Sequence, residues 1–551
     1  MQHRLIYLFQ LFSLFFLFIS YVQGQSPRFL ITSGTNLADG SNPPYNQVQP
    51  GDTVFIQAGT RNYLRIRNFA GSADHPIIFM NYEGVVTMNS TGSYGIALAY
   101  CKYVRLTGSG DPSVFYGINI EHVSNGAGVS FDALSTNYEL DHVKISNDPI
   151  AGLYAKTDPD CTFNSTRDKF TQYDTRIHDN YIDSTGDEGM YIGNSFYNGE
   201  TINCNGKDTV LYPSILSGVR VYNNIVKSTG WDGIQVGCAS VDCQIFNNII
   251  MYDSQAGVYG QTAGFMLGGG SKCDCYNNNI SEGKGNGIED HGLAGNRIFN
   301  NLIIDAGRTF YPGDQSQKKH GIYIDDVSVQ PDSSYRILFN DIINPKCDGI
   351  RFKSVISKNN MIVSNVIINP GDYPQDGNAA YVNIPDPSSD VTIANNYDAP
   401  DTTGARFVSG SYELKAGSPL IDAGYNNGEE VYFDFLYNPR YMGAGYDIGA
   451  YEYDPYPTGI QDITNGNKVS VPYPNPSNLR ITIEYEFSAT SDVQTDIYDL
   501  QGARLYSALQ YNVQAGNHSV SVNISELPAG LYIYTLRSGT EVITGKFIKM
   551  Q

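Results

Sequence analysis

The most regular feature of the chain is a glycine followed by an apolar, a variable and an apolar residue. The copies are Gly95-Ile96-Ala97-Leu98, Gly128-Val129-Ser130-Phe131, Gly152-Leu153-Tyr154-Ala155, Gly189-Met190-Tyr191-Ile192, Gly233-Ile234-Gln235-Val236, Gly264-Phe265-Met266-Leu267, Gly287-Ile288-Glu289-Asp290, Gly321-Ile322-Tyr323-Ile324 and Gly349-Ile350-Arg351-Phe352. Each copy is too short for a helix, and its alternation is typical of a half-buried strand. The pattern predicts many short strands that share one core.

A second repeated element, an Asn-rich turn that enters a strand, lies between these copies. It occurs at Asn180, Asn223-Asn224, Asn247-Asn248, Asn278-Asn279, Asn300-Asn301, Asn340-Asp341 and Ser364-Asn365. The shortest intervals indicate a repeat of about 22–24 residues, which is typical of a solenoid. Asn tolerates the left-handed backbone of tight turns, and stacked Asn side chains can form hydrogen bonds between repeats. We therefore predict an all-β fold, a right-handed parallel β-helix, whose longer intervals are rungs with inserted loops.

Two further segments resemble those of pectate-lyase-like right-handed β-helix proteins. The segment Val48 to Ile56, followed by Pro76-Ile77-Ile78-Phe79, is similar to the opening of such proteins. The segment Ser418 to Gly424, with Asp447 to Glu452, is similar to one that often closes bacterial β-helices. The resemblance implies a β-helix over residues 25–455. Lyases, hydrolases, epimerases and non-enzymatic adhesins share this scaffold, so it does not fix the reaction.

The pattern changes after a Pro/Gly/Asn-bearing linker, which we place at residues 456–470. Five alternating segments predict a small antiparallel β-sandwich over residues 471–551. They are Ile481 to Phe487, Val493 to Asp499, His518 to Ile524, Leu531 to Leu536 and Val542 to Ile548. A carbohydrate-binding sandwich is the alternative to the resemblance described next.

The C-terminal sandwich closely resembles the type A sorting domain of the type IX secretion system. The motifs are Pro472-Tyr473-Pro474-Asn475-Pro476, Asp499-x-x-Gly502, Leu527-Pro528-Ala529-Gly530-Leu531-Tyr532 and Lys546-Phe547-Ile548-Lys549. The resemblance implies a Bacteroidota-type bacterium, the type IX secretion machinery as a partner, and a protein that is secreted or attached to the outer cell surface.

The first 24 residues have the pattern of a signal peptide. His3 and Arg4 precede the apolar stretch Leu11 to Ile19, and Gly24 offers a small residue for cleavage. A retained anchor is the alternative, although the apolar stretch is short for a membrane span. No later segment is apolar enough to cross a bilayer, so we expect no stable membrane insertion after cleavage.

The net charge of the chain disfavours some classes of binding partner. Lys and Arg total 35 while Asp and Glu total 56, which gives a net charge of −21. Such a chain is a poor partner for nucleic acid or an anionic membrane, because the electrostatic contribution would be repulsive. A polyanionic glycan would need a local basic patch. The 42 Tyr residues suit both strands and sugar stacking.

The eight cysteines would lie in an oxidising environment after export. Cys238 and Cys243 form the most plausible local disulfide, and the other pairings cannot be deduced from the sequence. Cys273-x-Cys275 lacks the spacing of a zinc site.

The alternation also predicts which side chains face outward. If the first residue after each glycine points inward, the second and fourth point to solvent and form columns down the stack. The lower half then gathers Glu289, His291, Tyr323, Asp325, Arg351 and Lys353 on one outer face, with Tyr191 higher in the same column. Residues before the glycines, including Glu188, Asp232 and His320, lie at its edge.

This face suits a polysaccharide lyase acting on an acidic glycan. Such an enzyme neutralises a uronate carboxylate, abstracts the neighbouring proton and protonates the leaving oxygen. We assign Arg351 to the carboxylate, Lys319, His320 or Lys353 to the base, and Tyr323 to the acid. Glu289 is a further catalytic candidate. Asp325 and Asp326 could hold Ca²⁺ in the neutralising role, while His291, Tyr191, Asp232 and Glu188 would bind substrate.

Two alternatives remain open. A polysaccharide hydrolase would pair Glu289 or Asp290 with Asp325 or Asp326. Asp290-His291-Gly292 and Asp325-Asp326 partly match the motifs of inverting pectin-type hydrolases, but the Asn-Thr-Asp motif is missing. A non-catalytic adhesin or glycan-binding β-helix would use the same charges as ordinary ion-pair ladders. A structural stalk fits less well, because the inserted loops are long and irregular.

Overall fold

The structure is a computed structural model. It describes residues 28–308 except 112, 318–371, 379–426, 431–454 except 441, and the parts of 468–549 outside 470–471, 473–476, 478, 488, 499–503, 526, 528–529 and 540. The predicted signal peptide 1–24 and most of the predicted linker 456–470 lie outside these residues. Strands are numbered in chain order, and the only helix of the described residues is a 3-10 turn at Tyr45–Gln47.

The first sheet consists of the glycine-initiated strands and their neighbours. Its twelve parallel strands, in spatial order, are β2 Leu37–Asp39, β4 Leu64–Arg67, β6 Tyr94–Ala99, β9 Ala127–Asp132, β12 Leu153–Ala155, β15 Met190–Ile192, β20 Ile234–Val236, β23 Ala263–Leu267, β26 Asn286–Asp290, β29 Ile322–Ile324, β32 Ile350–Phe352 and β35 Val382–Asn383. We call its solvent side the front face.

The other strands form two more parallel stacks. One contains β1 Leu30–Ile31, β3 Thr53–Arg61, β5 Ile77–Ser90, β7 Lys102–Thr107, β10 Thr136–Asp141, β13 Thr171–His178, β18 Ile215–Tyr222, β21 Ala239–Phe246, β24 Cys273–Tyr276, β27 Arg297–Phe299, β30 Arg336–Leu338, β33 Asn360–Val363 and β36 Val391–Ala394. The other contains β8 Ile118–Val123, β11 Val143–Asp148, β14 Tyr181–Thr185, β19 Ile225–Thr229, β22 Ile249–Met251, β25 Asn279–Ser281, β28 Leu302–Ile304, β31 Asp341–Ile343, β34 Val366–Ile368 and β37 Tyr397–Ala399. The two stacks join through β3 and β5. The predicted parallel β-helix is confirmed.

The core runs along the interior of this helix. The residue after each repeat glycine is buried, from Ile96 through Ile234 to Ile350, and it packs with apolar residues of the other two stacks. Neighbouring copies are in register, since Leu153 pairs with Met190 and Ile322 pairs with Ile350. The repeat therefore places its apolar positions inside and its variable positions on the front face, as predicted.

The Asn-rich turns form a continuous buried ladder. The side-chain Nδ2 of each member donates to Oδ1 of the next at 2.9 to 3.0 Å. The members are Asn180, Asn224, Asn248, Asn278, Asn301, Asn340, Asn365 and Asn396. The residue before each member, such as Asn223 or Asn300, has a positive φ angle. The left-handed turn residue and the ladder residue are thus neighbours with separate roles.

The segment that resembles a closing element packs against the outside of the ladder corner. Arg440 is buried, and it donates to Asn300 Oδ1 at 2.6 Å and to Glu452 Oε2 at 3.3 Å. The main-chain N–H of Ala450 donates to Asp341 Oδ1 at 2.9 Å. The described residues of 400–454 therefore pack beside the C-terminal rungs and add no strand to the stack.

The C-terminal region has two antiparallel sheets. They contain β38 Lys468–Val469, β39 Arg480–Phe487 and β42 Gly516–Asn523 in one, and β41 Arg504–Val513, β40 Ser491–Tyr498, β43 Gly530–Ser538 and β44 Glu541–Lys549 in the other. The predicted sandwich is confirmed. Strand β41 was not predicted, because it is an edge strand whose side chains are nearly all exposed and give no alternation. Motif residues 473–476, 499–502 and 528–529 lie outside the described residues.

The cysteine prediction is wrong. Cys238 is buried and unbridged, while Cys243 is bonded to Cys273 of the next rung. Those two residues are register partners on β21 and β24. A second disulfide joins Cys161 to Cys204. Inter-rung stacking brings together cysteines about a repeat apart, which closeness along the sequence does not reveal.

Asp148 should make stability depend on pH. It is buried at the end of β11, and no hydrogen bond of ordinary geometry reaches its carboxylate oxygens. Burial raises the pKa of Asp148 to about 8, against a smaller opposite effect of the Val123 main chain. Its register partner is Thr185, whose hydroxyl donates to the Asp187 carbonyl. The next rung thus holds a neutral polar side chain at the position that corresponds to Asp148.

We expect Asp148→Asn to stabilise the protein at pH 8 by on the order of 2–4 kcal/mol. The folded wild type holds a proton that the unfolded chain releases, so its stability should fall as pH rises from about 4 to 8. In the variant, the pH dependence of stability that Asp148 causes should disappear, while the pH dependence caused by other buried acids remains. Melting temperatures of the wild type and the variant from pH 4 to 9 would measure this difference in pH dependence. Parallel curves for the two proteins would contradict a raised pKa for Asp148.

Candidate active site

The front face carries the predicted residues on adjacent rungs. Glu289 pairs in register with Tyr323, and Tyr323 pairs with Arg351. Adjacent strands of a sheet lie about 4.8 Å apart, so these side chains are direct neighbours. All three are half-buried. The predicted column exists, and its lower half brings together acids, bases and an aromatic hydroxyl.

His291 joins two acids of this face. Its Nδ1 donates to Asp325 Oδ1 at 2.5 Å and its Nε2 donates to Glu289 Oε1 at 2.9 Å. Burial alone would lower the pKa of His291, but these hydrogen bonds outweigh it and raise the pKa to about 10. The protonated ring in turn lowers the pKa of both carboxyls, although burial opposes this. The three residues form a fixed acid–imidazolium–acid bridge at neutral pH.

Tyr323 links this bridge to a lysine. Its hydroxyl donates to Asp325 Oδ2 at 3.1 Å and accepts from Lys353 Nζ at 3.1 Å. Burial and the neighbouring Asp325 raise the pKa of the Tyr323 phenol. Lys353 itself is exposed and lies 5.5 Å from the centre of the Tyr323 ring. Tyr323 is therefore a protonated hydroxyl in contact with an accessible cation.

Arg351 is held by an acid at the edge of the face. It donates to Asp348 Oδ2 at 3.0 Å, and its side chain remains 21% exposed. The Asp348 main-chain N–H donates to His320 Nδ1 at 3.2 Å. Burial lowers the pKa of His320 although Asp348, whose Oδ2 lies 3.3 Å from His320 Nδ1, opposes this. The His320 ring stacks on Tyr323 at 5.7 Å.

Lys319, Asp232 and Glu188 are buried. Lys319 Nζ donates to Thr262 Oγ1, and burial lowers the pKa of Lys319 although Glu289, Asp232 and Asp253 oppose this. Burial, with the charges of Glu289 and Glu188, raises the pKa of Asp232 well above its usual range. Burial likewise raises the pKa of Glu188 to about 7. The structure thus places these three side chains at the edge of the face, where Lys319 keeps a small exposed fraction and the two acids are almost fully covered.

The edge residues have a structural role that the sequence reasoning missed. Their side-chain oxygens accept the main-chain N–H of the next rung: Asp232 from Ala263, Asn286 from His320, and Asp348 from Ala380. These bonds measure 2.7 to 2.9 Å. The recurrence of Asp or Asn directly before the repeat glycine is the signal that could have indicated it.

Inserted loops form a wall along one long edge of the front face. The loops after β12 and β15 are joined by the Cys161–Cys204 disulfide, and the second contains the hairpin β16 Glu200–Cys204 and β17 Lys207–Leu211. Ser195 of this wall accepts from Gln235 Nε2 at 2.6 Å, and Asn198 Nδ2 donates to the Val327 carbonyl at 3.3 Å. The inserted loop that precedes β29 includes residues 309–317, which lie outside the described residues.

Asp325 and Asp326 do not fit a calcium site. Both Asp325 oxygens bind protein groups, namely His291 and Tyr323. Asp326 Oδ2 accepts from the main chain of Val355 and Ile356. Ca²⁺ takes roughly six to eight oxygen ligands, and these two carboxylates are directed to different partners. A calcium ion elsewhere on this face stays a prediction.

Asp290 is unsuited to pair with another carboxylate across a glycosidic bond. Its side chain is fully buried and accepts from Gly292 N at 2.8 Å and from Asn296 Nδ2 at 2.6 and 2.8 Å. Burial raises the pKa of Asp290 to about 6, and these hydrogen bonds oppose the shift. Its unusual place in an apolar column is explained by inward hydrogen bonding.

Other polar features of the described residues lie away from this face. Glu139, Asp141 and His178 come close enough to hold a metal ion. However, Arg105 donates twice to Asp141, at 2.7 and 3.1 Å, and its Nε lies 3.0 Å from Glu139 Oε1, so both acids already pair with an arginine. A shallow depression of about 540 Å³ near His122 and Ser228 contains none of the predicted site residues.

The fold and this face define a parallel β-helix protein with a separate C-terminal β-sandwich. Residues 471–550 match the family model described as the secretion system C-terminal sorting domain. This confirms the resemblance to type IX sorting domains, and the protein is secreted or attached to the outer cell surface. No helix of the described residues is long and apolar enough to cross a membrane.

Two solved structures illustrate what the chain is distantly similar to. The A-module of a mannuronan C-5 epimerase from Azotobacter vinelandii is 12% identical with a TM-score of 0.34, over 64% of this chain and 91% of that one. A tailspike of the Acinetobacter baumannii bacteriophage Fri1, a capsular polysaccharide depolymerase, is 9% identical with a TM-score of 0.25, over 91% and 73%. No curated protein sequence matches the chain. Likenesses this distant assign no activity.

Proposed function

We propose that this protein is a polysaccharide lyase that acts on an acidic glycan outside the cell. The observation that carries the proposal is the front-face group of Arg351, Lys353 and Tyr323. Two cations there flank a protonated phenol, on rungs that neighbour one another. This is the set of charges that elimination next to a uronate carboxylate requires.

Arg351 and Lys353 would bind the uronate carboxylate. Arg351 offers a planar fork of donors that matches a carboxylate, and Asp348 fixes its position through one nitrogen. Lys353 is the exposed partner. Neutralising the carboxylate makes the neighbouring carbon more acidic, so the two cations lower the barrier to proton removal.

Tyr323 would protonate the leaving oxygen. Its raised pKa keeps the proton on the phenol at neutral pH. Asp325 and Lys353 hold the hydroxyl in one orientation. His291 and Glu289 act as positioning residues, because they fix Asp325 through the bridge described above.

Lys319 is the base that we assign. His320 Nδ1 is engaged by the main-chain N–H and the carboxylate of Asp348, and Lys353 Nζ donates to the Tyr323 hydroxyl. Burial lowers the pKa of Lys319 although Glu289, Asp232 and Asp253 oppose this, and the direction of the shift favours the deprotonated amine that a base requires. A decisive readout is the pH profile of kcat/KM: Lys319→Arg should lose activity at every pH because arginine stays protonated, whereas a merely destabilised variant should keep the acidic limb of the profile in place.

The test is a screen of the mature protein on uronate-containing and neutral polysaccharides, with and without calcium. Ultraviolet absorbance detects unsaturated uronate ends, and a reducing-end assay detects any cleavage. We expect both signals on an acidic glycan. Reducing ends without new absorbance would replace the proposal with a hydrolase.

A substitution at Tyr323 gives a second prediction. Tyr323→Phe keeps the ring and its stacking on His320 but removes the transferable proton, so we expect kcat to fall by about 10²-fold with a small change in KM. Tyr181→Phe is the matched control, because the Tyr181 hydroxyl likewise donates to an acid, Asp183 Oδ2 at 3.2 Å, but lies on β14 of another sheet. Equal activity of the two variants would remove Tyr323 from the mechanism.

A second candidate is a non-catalytic glycan-binding protein. It is favoured by one observation: Glu289, His291, Asp325 and Arg351 each already contact an oppositely charged protein group. Such satisfied ladders can be purely structural. Binding of an acidic glycan without product in either assay would establish this alternative.

A further inference from the structure

A second lysine–tyrosine group lies on the same front face, near the other end of the wall. Lys156 follows β12, and its Nζ lies 4.3 Å from the centre of the Tyr191 ring and 5.5 Å from that of Tyr154. Tyr154 and Tyr191 are register partners with rings 6.2 Å apart at 68°. Both belong to the column that continues to Tyr323 and Arg351. The face therefore has a lysine beside tyrosine at each end.

The upper lysine is part of a carboxylate-binding arrangement. Lys156 Nζ donates to Asp158 Oδ1 at 3.0 Å, and Asn194 Nδ2 donates to the same oxygen at 2.9 Å. Asn194 is buried, and its own Oδ1 accepts from Phe196 N at 2.8 Å, which fixes the amide. Asp158 is 55% exposed. Lys156 and Asn194 are thus two converging donors, and the carboxylate that accepts from them, Asp158, is accessible to solvent.

The distance between the two lysines indicates what else could bind there. Six rung steps separate β12 from β32 in the front sheet. They correspond to about 29 Å at the usual strand spacing. A single sugar is far too small to reach both, whereas an extended oligosaccharide along the face could contact both lysines.

We infer that Lys156 and Asn194 form a distal subsite for a second uronate carboxylate of the same glycan chain, which displaces Asp158. The inference rests on the proposed function, since it assumes that the front face binds an acidic glycan. The Tyr191 ring positions the Lys156 ammonium group by a cation–π contact. The subsite makes the protein select chains with several acidic sugars over short or esterified ones.

The experiment measures dissociation constants for uronate hexamers and dimers by calorimetry. The full mature chain carries Tyr323→Phe throughout, so that substrate is consumed about 10²-fold more slowly during the titration. We expect Lys156→Gln to weaken hexamer binding about tenfold, as for loss of one charged hydrogen bond, and to leave dimer binding unchanged. Asp158→Asn should tighten hexamer binding about threefold, because the competing exposed ion pair is lost.

The controls separate this subsite from general charge and from the reaction. Lys144 lies 5.6 Å from the Tyr181 ring on another sheet, so Lys144→Gln removes a similar cation away from the face. A fully methyl-esterified hexamer tests for the carboxylate itself. Equal effects of Lys156→Gln and Lys144→Gln, or equal weakening of hexamer and dimer, would overturn the inference. Binding that follows the expected pattern while the unaltered protein makes no unsaturated product would retain it and remove the lyase proposal.

Discussion

Arg351→Ala is expected to lower kcat/KM on an acidic glycan by about 10²–10³-fold, the usual cost of removing a charge-stabilising donor. The guanidinium is the forked cation that we assign to the uronate carboxylate. Its loss should leave the fold intact, because Asp348 retains its hydrogen bonds from Ala380 and Asn383. The initial rate of unsaturated-end formation measures the effect.

The matched control is Arg220→Ala. Arg220 also pairs with an acid, Asp242, and is similarly exposed, but it lies on β18 of another sheet. It should keep full activity. Arg351→Lys restores the charge without the fork, so we expect partial recovery if carboxylate binding is the role. Matching losses in Arg351→Ala and Arg220→Ala would mean that the front face is not where the reaction occurs.

The fold was predictable because its repeat constrains every rung in the same way. A glycine allows the main chain of neighbouring rungs to approach: a Cβ at Gly233 would lie 2.6 Å from the Gly264 carbonyl oxygen. The alternation after the glycine then decides which residue enters the core. Because these constraints recur, one periodic pattern predicted the strands, their parallel pairing and the outward columns.

The site was only partly predictable for the opposite reason. Columns place Tyr323 beside Arg351, but they do not show which side chain reaches which partner. Lys353 donates a hydrogen bond to the Tyr323 hydroxyl, and His291 bridges two acids; neither contact follows from the columns. The depth of Lys319 depends on neighbouring rungs. Contacts that depend on side-chain direction and burial have no simple sequence period.

The bridge at His291 also weakens the hydrolase alternative in physical terms. A glycosidase needs one carboxyl that keeps its proton near neutral pH and one that does not. Glu289 and Asp325 both bind the same imidazolium, which lowers the pKa of each. Two ionised acids cannot supply the proton for a leaving group. The sequence suggests Glu289 and Asp325 as a catalytic pair. Only the structure shows that both bind His291, so that the pKa of both carboxyls is shifted in the same direction.

The ladder corner offers the largest expected effect on stability. The Asn301 side chain is fully buried and forms five hydrogen bonds. Its Oδ1 accepts from the main chain and side chain of Asn278, and its Nδ2 donates to Cys275, Phe299 and Asn340. Truncation would leave several buried polar groups on three rungs without a partner, and each such group costs about 1–3 kcal/mol.

We therefore expect Asn301→Ala to lower the free energy of unfolding of the β-helix by about 4 kcal/mol, since part of the loss is recovered by relaxation. Asn89→Ala, at an exposed position of β5, should change it by no more than about 0.5 kcal/mol. Urea titrations followed by circular dichroism would compare the midpoints. A solenoid is stabilised by contacts between adjacent repeats, so a defect at one rung weakens the coupling between the parts on either side. Coincident curves for the two variants would show that the ladder fixes the register of the turns without stabilising the stack.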